Sequence, residues 1–494
     1  MNRTSSQGKP EKKPGADRDP SLGRNRRPSL GLKPGGYLAF VLLLTLALTG
    51  RPAAAQSIAG QAGPPSMPGP APTAMGGAGG TLIPAPDPRL AALGSATGPL
   101  DPGTLVDTAL IVSGLSDQVL QSWRIGIEAA LAPIREAAAL KPDPKARAEA
   151  LLELLHERGP FHDYSATATT LIDVFNQGKF NCVSSAVVYL IAARELGIPC
   201  AGVRTSDHAF CSVTIGGNSI DVETTTTYGF DPGTKRQFTD AFGKVTGYSY
   251  VPPGDYTRRE TIDDRRLLSL ILSNRAALLE SAGHWGEALS LAVDYDAMEP
   301  DAESRDFVLG RVNNLAAALM RNRDWTDALR LANEARLKWG DDKRLAAIAT
   351  TAADGSLVEE LSHVGKSGGL TFAEALDLVA KSRASGDVSA ARAKEFFAFL
   401  YGNEANRIGN SGDWLGAAAL AEEGLARTGG DARLAQAVTT FRHNFVVSVH
   451  NDFARLFNAQ RFKEAAQAAS AGLARMPGDP TLSADLKAAV DAGG

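Results

Sequence analysis

Apolar residues recur at helical spacing along most of this chain, and one short central stretch breaks the rhythm. Leu105 to Leu115, Gln118 to Leu140 and Ala146 to Arg158 place apolar side chains three and four residues apart, as amphipathic helices do. Pro133 is expected to interrupt the second. Thr169 to Gln177 is a short fourth helix, and Val183 to Leu196 is a longer apolar run closed by Gly197 and Pro199. The period then shortens. Ala201 to Thr205 and Ala209 to Ile215 are β-rich and joined through a Ser206-Asp207 turn, and Gly216-Gly217-Asn218 leads into a third run, Ser219 to Thr225. The β signal fades through Val251-Pro252-Pro253-Gly254, and from about Thr261 the pattern is helical to the end.

That last part repeats. Asn274 stands eleven residues before Trp285, and the same offset joins Asn314 to Trp325, Asn403 to Trp414 and Asn451 to Phe462. Three residues after each aromatic comes Ala288, Ala328, Ala417 or Ala465. Each unit reads as helix, polar turn, aromatic, helix. A gap of about twice the period separates the second and third units, and Phe372 with Ala375 marks a degenerate copy in it. The pattern resembles tetratricopeptide-like (TPR-like) repeats, with a period longer than the 34 residues usual there. One unit cannot bury its own apolar face, whereas stacked units can.

Composition changes the picture mainly at the N-terminus. Arg24, Arg26, Arg27 and Lys33 precede an apolar run from Tyr37 to Thr49, and Ala53-Ala54-Ala55-Gln56 offers a cleavage site. Residues 1–55 therefore read as an export signal, removed in the mature protein rather than kept as an anchor. Residues 56–103 are rich in Gly, Pro and Ala and read as a disordered tether. The formal net charge is −4, and the basic leader hides a more acidic body, which argues against a nucleic-acid binder. The implied setting is the periplasm or extracellular space, with a protein or peptide as partner.

The candidate chemistry sits in the central stretch. Cys182 opens an apolar helix, where orphan N–H groups favour a thiolate. His208 opens the second β run, and Asp221 and Glu223 lie in the third. With the turn centred on Gly216-Gly217, residue 215 pairs with 218, and both acids share the His208 side of the sheet. Glu223 is two residues from direct opposition to His208 and Asp221 is four, so geometry prefers Glu223 while Asp221 stays open. The backbone N–H of Cys182 plus Gln177, Asn176 or Asn181 are the candidates for an oxyanion hole. Cys200 and Cys211, on consecutive β runs, form either a disulfide or two buried apolar thiols. No metal or cofactor motif is present. His156 and His162 cannot share a helix face across Gly159-Pro160, and Gly76-Gly77-Ala78-Gly79-Gly80 lacks the context of a phosphate loop.

Gly178, Asn181-Cys182, the run Ala193-Arg194-Glu195-Leu196-Gly197-Ile198-Pro199, Gly202-Val203-Arg204, Asp207-His208-Ala209-Phe210 and Ile220 to Thr225 together resemble the transglutaminase-like superfamily, whose core is papain-like. The resemblance covers about a quarter of the chain. Family members commonly show Val-Asp-Pro-Thr near the third run, which maps onto Val222-Glu223-Thr224-Thr225 or leaves Asp221 as the acid. The resemblance implies acyl transfer. Cys182 attacks an amide or ester carbonyl, His208 moves the proton, and Glu223 or Asp221 orients His208. Hydrolysis of peptides or isopeptides is the commoner outcome for prokaryotic relatives.

The expected fold class is an α+β papain/transglutaminase-like domain followed by an all-α TPR-like solenoid. The expected order is a signal at 1–55, a tether at 56–103, the α+β domain with N-terminal helices at 104–258, and repeats at 259–494. The rival reading is a non-catalytic, protein-binding scaffold of the cell envelope.

Overall fold

The computed structural model describes residues 80–96, 98–205, 208–232 and 259–493. The export signal, the tether as far as residue 79, the Ser206-Asp207 turn and the Val251 to Gly254 stretch lie outside the described residues. The described residues are mostly helical, with 17 helices and a small sheet region.

Four helices come first: α1 (Pro88–Leu93), α2 (Pro102–Val112), α3 (Asp117–Ala139) and α4 (Pro144–Glu157). Pro133 does not interrupt α3, which continues through it. Buried Leu131, Ile134 and Ala138 hold the helix on the core to either side, so tertiary packing outweighs the missing N–H. A two-residue parallel pair, β1 (Asp163–Tyr164) and β2 (Lys179–Phe180), flanks α5 (Leu171–Gln177). Next come α6 (Cys182–Glu195), β3 (Cys200–Arg204), β4 (Ala209–Ile215) and β5 (Asn218–Val222). A later strand, β6 (Glu260–Ile262), completes an antiparallel sheet in the order β5-β4-β3-β6.

Helix α6 is the centre of the core. Every residue from Val183 to Ala193 is buried, as expected for a helix that is apolar all round. Asn181 caps it by accepting from the N–H groups of Val183 and Ser184, and the Ser184 hydroxyl accepts from the Asn181 N–H. At the far end Gly197 takes a left-handed φ of 70°, and Ile198 N–H donates to Ala193 O at 3.0 Å. Arg194 projects from the last turn to the buried Asp264 carboxylate at 2.8 Å. Asp264 also accepts the N–H of Leu100 at 2.8 Å.

The helical remainder forms five pairs and a closing helix: α7/α8 (Asp264–Ser281, Trp285–Met298), α9/α10 (Ala302–Arg321, Trp325–Trp339), α11/α12 (Lys343–Leu361, Phe372–Ser385), α13/α14 (Ala390–Asn410, Trp414–Thr428), α15/α16 (Ala432–Asn458, Phe462–Arg475) and α17 (Pro480–Gly493). Ala288, Ala328, Ala375, Ala417 and Ala465 are fully buried, so the helices of each pair approach closely there. Each aromatic at the start of a second helix meets the helix that follows. Trp325 covers Gly355, Phe372 meets Tyr401 edge-on at 5.3 Å, and Trp414 stacks on Phe441 at 6.4 Å. These aromatics are half-buried at the joints, not sealed inside them. The turns are alike too: Gly283, Arg323, Gly412 and Gln460 all have left-handed φ.

Two boundaries differ from the expected ones. Leu82 and Ile83 are buried against α8, α9 and α10, so the tether does not extend to residue 103. Glu334 on α10 accepts the N–H groups of Leu82 and Ile83 at 2.8 and 3.0 Å, which satisfies the extended backbone. Nor do the repeats begin with a core of their own. Leu267, Leu268, Ile271 and Leu272 of α7 share one core with α6 and the sheet, because one face of the first repeat closes that core.

Candidate active site

Cys182 is the first residue of α6 and is half-buried. His208 immediately precedes β4, and its Nε2–H donates to Glu223 Oε2 at 2.6 Å. Both side chains are buried, Glu223 completely. The Cys182 sulfur lies near enough to act on the same imidazole, alongside the Glu223 carboxylate. Burial alone would push the His208 pKa down. The Glu223 carboxylate and the Cys182 sulfur outweigh it and hold the imidazole well above its ordinary value. The arrangement therefore favours a protonated imidazole beside a sulfur at a helix N-terminus.

The hairpin places the acid. Ile215 pairs with Asn218, and the ladder runs back to Cys211 opposite Val222. There β5 ends, three residues before Thr225, where the strand was expected to end. Glu223 lies just beyond the ladder, in a loop closed by its own N–H to Gly229 O at 2.8 Å. Its second oxygen, Oε1, accepts from Thr225 N–H at 3.1 Å and Thr225 Oγ1 at 2.7 Å. Both carboxylate oxygens are thereby fixed in direction.

Asp221 points elsewhere. It pairs in register with Ser212, and Arg259 engages both of its carboxylate oxygens. The guanidinium of Arg259 also lies over the Phe210 ring at 5.2 Å. Asp221 is thus the anchor for Arg259 rather than the acid at His208.

The three oxyanion candidates separate as well. Asn181 is buried and committed: its oxygen caps α6, and its Nδ2 donates to Ala166 O at 3.2 Å. Asn176 and Gln177 are exposed on the last turn of α5, with Gln177 Nε2 3.5 Å from Asp173. The left-handed Gly178 follows, packed so tightly on the His162 ring that a Cβ would overlap it.

Cys200 and Cys211 are separate buried thiols, not a disulfide. The register sets Cys200 opposite Val213 and Cys211 opposite Gly202, so the two cysteines are diagonal neighbours. Cys211 donates to Ala186 O on α6 at 3.2 Å, and burial first, then its bond with Cys200, pushes its thiol pKa well up. Neither thiol has the setting of Cys182.

Sequence reasoning weighed His156 only as a metal ligand and Thr224 only as part of the third β run, and passed over Ser185. His156 Nε2–H donates to Thr224 O at 3.1 Å, and the Thr224 hydroxyl lies 2.8 Å from that of Ser185, one turn after Cys182. The one available signal was the unbroken run of four threonines after Glu223, too polar to be a buried strand end without partners. Among the described residues no cluster of His, Cys, Asp and Glu could hold a metal ion, and no helix is long and apolar enough to cross a membrane. No known protein-family model matches the chain, and no curated protein matches it either.

Proposed function

We propose that this protein is a cysteine-dependent acyl-transfer enzyme of transglutaminase-like type, acting on peptide or protein amide bonds. The observation that carries the reading is the grouping of Cys182, His208 and Glu223: a sulfur at a helix start, an imidazole whose pKa that sulfur helps to raise, and a buried carboxylate hydrogen-bonded to the same imidazole. Cys182 attacks the carbonyl carbon and His208 delivers a proton to the leaving amine. Glu223 holds the ring in the tautomer and direction this needs. Water or an amine then releases the acyl group from sulfur. The backbone N–H of Cys182 is one donor for the oxyanion, and the exposed Asn176 and Gln177 are the side-chain candidates for a second.

The five helix pairs would present the substrate protein, since stacked repeats form extended binding surfaces. Export rests on the basic leader, the apolar run and Ala53-Ala54-Ala55, and predicts Gln56 near the mature N-terminus.

The deciding experiment is labelling of Cys182 by a thiol-reactive probe at mildly acidic pH, in the unsubstituted protein and in His208→Ala. Fast labelling that needs His208 supports the enzyme. A rate no faster than a free thiol in both proteins would leave the repeat scaffold as the function.

A further inference from the structure

We propose that His156 is a positioning residue for this site: through the Thr224 carbonyl it holds Glu223 in line with His208, and Ser185 ties the same threonine to the helix of Cys182. The inference rests on the acyl-transfer reading and adds residues to it.

Past the ladder the Glu223 backbone keeps one bond, its N–H to Gly229 O beside the Val222–Phe230 bridge, so Thr224 takes on the rest of its positioning. The last ladder pair is Cys211 with Val222, so the backbone from residue 223 onward must be held by other means. Thr224 is fully buried and is held from two sides. Its carbonyl accepts the Nε2–H of His156, which comes from α4 and not from the sheet. A carbonyl cannot donate, so this bond sets the His156 tautomer as Nε2–H.

On the other side, the Ser185 hydroxyl has one proton, directed at Asn181 O at 2.7 Å. The Thr224 hydroxyl must therefore donate to Ser185 Oγ at 2.8 Å. Asn181 is the N-cap of α6, directly before Cys182. One buried threonine thus couples the acid to the nucleophile's helix on one side and to α4 on the other.

His156 is itself held firmly. Phe161 and Phe180 meet its ring edge-on at 5.2 and 5.6 Å. Burial, opposed by the Thr224 bond and the Glu223 charge, lowers its pKa to about 4, so the ring stays neutral at ordinary pH. A neutral donor fits beside Glu223, because a second cation there would compete with His208 for the carboxylate.

The test follows alkylation of Cys182 by iodoacetamide from pH 5 to 9 in the full chain, read by mass spectrometry of the Cys182 peptide. His156→Phe keeps an aromatic ring and removes the donor. Alkylation at pH 6 should slow by about tenfold, with the profile moved toward that of a free thiol. His156→Gln keeps an N–H donor and should recover to within about threefold. A folded His156→Phe with an unchanged profile, when His208→Ala is slowed, overturns the positioning role and leaves the enzyme reading standing. An unchanged profile in His208→Ala removes both. If His156→Phe does not fold, Ser185→Ala cuts the other half of the link, and an unchanged profile there overturns the proposal. Nitrogen-15 NMR of the unsubstituted protein must also find His156 as the neutral Nε2–H tautomer; the Nδ1–H form is incompatible with the Thr224 bond.

Discussion

Gly229 packs so closely on Glu223 that a Cβ at residue 229 would overlap the Glu223 carbonyl oxygen, while Gly229 O accepts the Glu223 N–H at 2.8 Å. The acid is held by a loop that closes only on glycine. Gly229→Ala should therefore displace the loop at a cost of about 1–3 kcal/mol. Denaturant unfolding should show the loss, and Cys182 alkylation should slow with it. A variant of unchanged stability and reactivity would mean that the loop relaxes without moving Glu223.

The two acids should part company. Glu223→Gln should cut any acyl-transfer rate by about four orders of magnitude, the scale seen when the orienting acid of a catalytic triad is made neutral. Asp221→Asn should leave the chemistry largely intact and act on stability, because it strips Arg259 of its charged partner. Because Arg259 is only part-buried, the loss should be about 1–2 kcal/mol, below that of a fully buried pair broken from one side. Rate assays and chemical denaturation of both variants check the ranking, and the reverse order would return Asp221 to the site.

Acid should destabilise the protein in a window set by His156. Its pKa is about 4 in the folded state, against about 6.5 unfolded. The unfolded chain takes the proton first, so stability is lost as pH falls from about 6.5 to about 4 and levels off below that. The loss amounts to about 3 kcal/mol. His208 has the opposite sign. Its raised pKa contributes stability fully below the unfolded value, and this is lost as pH rises through the folded one. Unfolding free energies of the unsubstituted protein and His156→Gln between pH 7.5 and 3.5 should differ in slope within that window. Parallel curves would contradict the assignment.

Trp325 lies so close over Gly355 that a Cβ would overlap its ring, and its Nε1–H donates to Glu359 at 2.6 Å. Both partners belong to α11, so the indole couples the second repeat to the third. Because the ring is half-buried, Trp325→Ala should cost about 2 kcal/mol, less than a fully buried tryptophan. Gly355→Ala should cost a similar amount by pushing the ring away. Thermal denaturation of the full chain reads both, and no loss from either would place the joint elsewhere.

Glu334 holds the chain at residues 81–83 by three hydrogen bonds, from Thr81 Oγ1 and the N–H groups of Leu82 and Ile83. Glu334→Ala should release this segment and leave the apolar face of α8 and α10 uncovered. Limited proteolysis should then cut before Pro88 faster than in the unsubstituted protein. Equal cleavage would show that burial of Leu82 and Ile83 alone retains the segment.

What could be read in the sequence was local. The Gly216-Gly217 turn set the register of the hairpin, because side chains alternate with a period of two and a tight turn leaves one pairing open. That register alone favours Glu223 over Asp221. The aromatic and alanine three residues apart marked each helix pair, including the copy at Phe372 and Ala375, since each pair meets the same packing need. The shared asparagine was a weaker sign. Asn274 and Asn314 bond to different partners, and Asn403 and Asn451 are exposed.

Only the tertiary structure decided the rest. Arg259 reaches Asp221 across 38 residues, β6 joins β3 across more than fifty, and Glu334 meets Leu82 across more than two hundred. No period or turn signal encodes such meetings. The same holds for His156, whose role depends on α4 lying against the end of a strand 68 residues away. Pro133 stays inside a helix and α7 closes the α/β core for one reason: buried apolar faces contributed by distant segments outweigh the local preference of a single residue or a repeat boundary.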